Sequence, residues 1–174
     1  MRIAPAAAVA FTLFAASPGS AQESNDLGQV LAQMPKELRG APVQKLPDGI
    51  LMYFLTGPSG EPMVVGVSVS ENKEVLSPAE IRTRLRGSRN QKSDVRQILR
   101  EGTFTAPKWP GAATYFVDYE GNEFRHQNWA LMSGKVGISV LVTYHSKKDA
   151  KPVEGLVAKN IFGGAVISVS KPTE

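Results

Sequence analysis

The sequence predicts a single α+β domain, an antiparallel sheet with helices packed on it. Three observations lead there. Two apolar strand-like runs flank the loop Gly57-Pro58-Ser59-Gly60, a strongly capped helix start follows at Ser77, and residues 113–145 hold three successive strand patterns. Strands grouped into runs, rather than alternating singly with helices, favour antiparallel pairing.

The chain of 174 residues opens with Met1-Arg2, an apolar run over 3–16, and Ser17-Pro18-Gly19-Ser20-Ala21. That order is the layout of a secretory signal peptide cleaved after Ala21. The expected organisation is a signal over 1–21, an N-terminal helix and connection over 22–44, and one domain over 45–174. Cleavage leaves 153 residues and removes only Arg2 among the charges, so the net charge drops from +4 to +3. A periplasmic or secreted location is expected. No cysteine is present, which excludes disulfides, a thiol nucleophile, Cys-ligated zinc and iron–sulfur clusters. No later segment supplies about 18 consecutive apolar residues, so no transmembrane span is expected after cleavage.

The elements follow in order. Leu27, Val30, Leu31 and Met34 recur at helical spacing, and Pro35 limits their helix. Pro47–Gly49 turns the chain into a strand over 50–56. After the Gly57-Pro58-Ser59-Gly60 loop, a second strand over 63–70 places Val65, Val67 and Val69 on one face. Ser77, Pro78 and Glu80 form a capping box with Pro at the first helical position. Ile81, Leu85, Val95, Ile98 and Leu99 extend its apolar side, with Gly102 as the stop; Gly87 and Ser93-Asp94 leave one helix or two open over 77–101. A Pro/Gly-rich loop at 106–111 precedes strands over 113–120, 123–132 and 135–145, turning at Gly121-Asn122 and Ser133-Gly134. Val153, Leu156, Val157 and Ile161 return to helical spacing up to Gly163-Gly164, and 165–170 closes as a strand.

Three stretches carry a family resemblance. They are Val64 to Ser70 leading into Ser77-Pro78-Ala79-Glu80-Ile81, then Tyr115 to Glu120 with Phe124-Arg125-His126-Gln127-Asn128-Trp129, then Gly137 to His145 with its Val-Thr-Tyr-His ending. Over roughly 45–170 the chain resembles the PsbP-like α/β/α-sandwich superfamily. The resemblance implies that fold and a docking or assembly role rather than an enzymatic one, and brings no shared catalytic residues.

Charge is the sharpest functional signal. Residues 77–108 hold eight basic side chains against three acidic ones, while the remaining mature chain has 11 against 13. On one continuous helix at about 100° per residue, Arg82, Arg86, Arg89, Arg96 and Arg100 fall within an arc of about 80°. Such a stripe suits phosphate or carboxylate on an anionic envelope component or a protein face; a solvated helix face gives the same pattern. Nucleic acid is not expected, because the charges have no interleaved aromatics.

The second candidate surface lies on the meander. With a Ser133-Gly134 turn, His126 sits opposite 141 and His145 opposite 122, about 13 Å apart at about 3.3 Å per residue, too far to share a metal ion. One face takes Trp129, Leu131, Val136, Ile138, Val140, Val142 and Tyr144 as core. The other takes Asn122, His126, Asn128, Ser139, Thr143 and His145, with Phe124 and Leu141, as a ligand groove or a helix-covered face. No G-x-S-x-G, metal-ligand spacing, nucleotide loop or dinucleotide fingerprint is present. The expectation is a non-catalytic exported binding or accessory factor without metal or cofactor. A small-molecule or lipid-binding module is the alternative, and a hydrolase using His126 or His145 the weaker one.

Overall fold

The meander over β5 (Ala113–Glu120), β6 (Arg125–Ser133) and β7 (Val136–Tyr144) is the centre of the molecule. A computed structural model describes residues 43–46, 50–90 and 96–170, with the side chains of 87–90 and 170 excepted. The expected signal over 1–21, the helix at 27–34 and the turn at Pro47–Gly49 lie outside the described residues. Around the meander stand β1 (Val43–Lys45), β2 (Leu51–Thr56), β3 (Pro62–Glu71), β4 (Gln97–Thr105) and β8 (Val166–Ser170). All pairings are antiparallel, and the order is β1-β2-β3-β7-β6-β5-β4-β8.

This architecture corrects the expected α+β sandwich. Among the described residues, eight strands carry the fold, and α-helix is confined to α1 (Pro78–Asn90) and the short α2 (Ala150–Leu156). The largest difference is β4. Ile98 and Leu99 continue a helical spacing from Val95, yet 97–105 pairs with β5 on one side and β8 on the other. Long-range pairing overrides the local pattern, as it does where a strand gains two partners. Gly102 is not a helix stop. A Cβ there would lie 2.1 Å from the Ser168 carbonyl oxygen and 2.9 Å from the Val169 Cα, so glycine permits the close approach of β8.

The β6–β7 hairpin turns on Gly134-Lys135, with Ser133 opposite Val136 and Gly134 at φ +58. Glycine at the first central position with positive φ fits the primed turns of two-residue hairpins. The register therefore puts His126 opposite Thr143, two residues from the expected partner Leu141. A two-residue shift preserves facing, and of the expected core face Trp129, Leu131, Ile138, Val140, Val142 and Tyr144 are buried, while Val136 at the turn is half-buried.

That face packs with Val65, Val67, Phe104 and Phe116 against Val153, Val157, Ile161 and Phe162. The last four come from α2, the π turn Val157–Ile161 and Phe162 directly after it, whose N–H closes the turn by donating to the Val157 carbonyl at 3.2 Å. Phe162 meets Phe104 at 4.8 Å and Trp129 at 5.8 Å between ring centroids. Each such buried side chain contributes about 1.5–3 kcal/mol, which makes this layer the main source of stability. On the opposite face, Ile81 and Leu85 of α1 pack with Leu76 on Tyr115, Val117, Tyr119, Ala130 and Met132.

The capping box at the start of α1 is complete. The Ser77 N–H and hydroxyl both donate to Glu80 Oε2 at 2.7 Å, and the Glu80 N–H donates to the Ser77 hydroxyl at 3.3 Å. At the other end of the core, Asp149 accepts from the Ser59 N–H at 2.9 Å and from its hydroxyl. This pair ties the β2–β3 loop to the start of α2, which explains why a buried carboxylate follows the sheet.

Candidate functional site

β4 contains a bulge. Ile98 faces Tyr119 and Arg100 faces Asp118, so Leu99 is an extra residue in the ladder. An inserted residue reverses the facing of all that follows. Ile98 packs with the α1-side cluster, but Arg100 turns to the α2 side and Glu101 to the α1 side.

On the α2 side, Arg100 Nη2 binds Asp118 Oδ2 at 3.0 Å and Glu154 Oε2 at 2.8 Å, with its guanidinium 5.4 Å from the Phe116 ring centroid. Tyr144 OH lies 3.5 Å from Asp118 Oδ1, and Gln127 Nε2 donates to the Ala150 carbonyl at 2.9 Å. Burial pushes the Asp118 carboxyl up, and the Arg100 hydrogen bond and charge only partly offset it. Burial and the nearby Asp118 charge also push the Tyr144 hydroxyl up. Through Glu154 and the Ala150 carbonyl, this cluster ties α2 to the sheet.

On the α1 side, the Glu101 carboxylate is 1% exposed. Its Oε1 accepts from both Arg82 Nη2 and Arg86 Nη2, and its Oε2 accepts from the Tyr115 hydroxyl. Burial, the largest influence, pushes the Glu101 carboxyl up. The Tyr115 hydrogen bond and the two guanidinium groups together outweigh it, so Glu101 titrates below the usual carboxylate range. Burial and the bond to Glu101 push Tyr115 up to about 12. The tyrosine is neutral, and two cations face one anion.

Beside this cluster a groove of about 750 Å³ runs between α1 and the β4–β8 edge. Arg82, Thr83 and Arg86 line it from the helix, and Glu101, Thr103, Tyr115 and Ser168 from the sheet. Among the described residues, Arg82, Arg86 and Glu101 are the charged ones of its lining, two positive and one negative. The two arginines remain about one-third exposed while Glu101 holds them in place.

The continuous arginine stripe is not formed. α1 ends at Asn90, and Arg96 and Arg100 belong to the strand side. Arg82 and Arg86 come together; Arg89 lies in α1 with its side chain outside the described residues. Exposed Arg96 donates from Nε to Asn122 Oδ1 at 2.6 Å, and Arg100 is on the opposite face of the sheet. Sequence reasoning missed Glu101 and Tyr115 as partners. The available signal was the pattern Thr103-Phe104-Thr105 after Gly102, a strand signature.

The polar meander face divides similarly. His126, Asn128, Ser139 and Thr143 share the α1 side of the sheet. His126 Nδ1 is 3.0 Å from Thr143 Oγ1, and its ring stacks on Tyr119 at 4.8 Å. Asn122 is in the β5–β6 turn, while His145 is exposed beyond β7, its ring 4.3 Å from that of Phe124. Ser68, opposite Ser139 on β3, joins this face. Among the described residues, Ser68 Oγ, Ser70 Oγ and Asn128 Oδ1 are buried without a hydrogen-bond partner.

Among the described residues, no group of three or more His, Asp or Glu side chains could hold a metal ion. No helix among them is long and apolar enough to cross a membrane. No family model matches the chain, and no curated protein matches it.

Proposed function

We propose that the chain is a non-catalytic exported binding factor that docks an anionic group of its partner in the groove between α1 and β8. The observation that carries this reading is the arrangement of Arg82 and Arg86 on a single buried carboxylate. Two guanidinium groups fixed by Glu101 lose little further freedom on binding, which favours affinity. Their planar forks suit a carboxylate or phosphate, and the excess positive charge attracts one. The expected export supports an envelope partner. The ionisable groups of both buried clusters are engaged in structural bonds, which supports binding rather than turnover.

Titration with glutarate, a small dicarboxylate, followed by amide NMR tests this. Saturable shifts confined to residues around Arg82, Arg86 and Thr103 are expected. Shifts scattered over the surface, or none, overturn it.

A second reading, a small-molecule site on the polar sheet face, is favoured by the unpaired oxygens of Ser68, Ser70 and Asn128. Polar ligands supplying donors to that face would stabilise the fold, and a thermal-shift screen of such compounds checks it. A Ser68→Ala/Ser70→Ala variant that responds like wild type removes this alternative.

A further inference from the structure

The two edges of the sheet are built differently. β1 is three residues long and carries Lys45, and short length and lysine both discourage added strands. β8 has the sequence Val-Ile-Ser-Val-Ser, with neither charge nor proline. Its Val166 and Val169 are 64% and 50% exposed, and among the described residues it pairs with β4 alone. Within Val166–Ser170 none of the usual protections is present, so among the described residues its outer row of backbone donors and acceptors is a template for another strand.

This open edge adjoins the arginine groove. Ser168 pairs with Thr103, and both line the groove beneath α1. Cross-strand neighbours share a face. A strand added about 4.8 Å outside β8 would therefore direct every second side chain toward α1, where Arg82 and Arg86 stand. The backbone of such a segment meets the edge, and an acidic side chain meets the excess positive charge.

We infer that the partner is an extended acidic peptide segment, which adds to β8 as a ninth antiparallel or parallel strand and places a carboxylate against Arg82 and Arg86. The inference rests on the anion-docking reading and adds to it the class of partner and the mode of capture. Backbone pairing supplies affinity and the side-chain pocket supplies selectivity, the division seen whenever a peptide extends a sheet. Charge favours this occupant over a second copy of the chain, because two β8 edges meeting would bring two positive grooves together.

The test uses the full chain and an octapeptide of alternating Val and Glu, with two derivatives N-methylated on complementary sets of alternate amides. A strand on an edge turns only one set of N–H groups toward its partner. One derivative should bind within about twofold of the parent and the other at least about tenfold more weakly, a difference of about 1.4 kcal/mol. Amide exchange over 166–170 should slow in the complex. An Arg86→Gln variant, which leaves Arg82 to neutralise Glu101, should weaken the peptide but spare the methylation pattern. Equal binding of the two derivatives, or unchanged exchange in β8, overturns strand addition. If glutarate binds the groove and the peptide does not, strand addition fails while anion docking stands; if neither binds, anion docking itself fails. A stable homodimer that the peptide does not dissociate assigns the edge to a second copy and also overturns the inference.

Discussion

Arg100 and Glu101 are neighbours in the chain and serve opposite faces of the sheet. The guanidinium of Arg100 joins Asp118 and Glu154 beneath α2, while the Glu101 carboxylate gathers Arg82, Arg86 and Tyr115 beneath α1. The bulge at Leu99 sets this division. Without it, each residue would point into the other's environment, and a carboxylate would enter the acidic side of the sheet.

The two buried carboxylates should act oppositely on stability as pH falls. Glu101 has a lowered folded pKa, so its stabilising contribution is present above its unfolded value and is lost as pH falls through the folded one. Asp118 has a raised folded pKa. The native state binds the proton more tightly there, so stability falls as pH rises from the unfolded value to the folded one. Urea unfolding between about pH 3 and pH 7 checks this. Glu101→Gln should flatten the acid-side loss and cost about 2 kcal/mol near neutrality, less than for a fully buried pair because the arginines are partly solvated. Asp118→Asn should steepen the acid-side loss.

Gly102→Ala should loosen β8 selectively. The added methyl group meets backbone rather than a yielding side chain, and overpacking of this kind costs about 1–3 kcal/mol. Hydrogen exchange over 166–170 should accelerate, while the β6–β7 hairpin keeps its protection. Uniform acceleration across the sheet would show that β8 is not a separable edge.

Phe162→Ala should cost about 3–5 kcal/mol, because its ring fills the space between Phe104, Trp109 and Trp129. The emission of Trp129, fully buried in the wild type, should shift to the red as the cavity admits water. Chemical denaturation and fluorescence on the same sample measure both.

The core was legible in the sequence wherever strand alternation and turn chemistry agreed. Val65, Val67, Val140 and Val142 follow the period of two, and the capping box at Ser77 appears with both of its reciprocal bonds. The sheet register was legible only in its facing, because Ser133-Gly134 and Gly134-Lys135 turns differ by two residues in pairing. β4 was not legible. Its apolar residues Ile98 and Leu99 extend the helical period of α1, and its strand state comes from β5 and β8, which are distant in the chain. Losing β4 also hid the site, since Glu101 reaches Arg82, Arg86 and Tyr115 only from that strand. The arginines were visible as a group, but the carboxylate that selects two of them was not.

The binding of glutarate to wild type and to an Arg82→Gln/Arg86→Gln/Glu101→Gln variant, measured calorimetrically at about 20 and about 200 mM salt, tests the central claim most directly. The three amides preserve hydrogen bonding around Tyr115 while removing every charge from the groove, and circular dichroism verifies the fold. Anion docking predicts saturable wild-type binding that weakens with salt, and at least about tenfold weaker binding by the folded variant, a loss of about 1.4 kcal/mol. Equal affinities in the two proteins would contradict it.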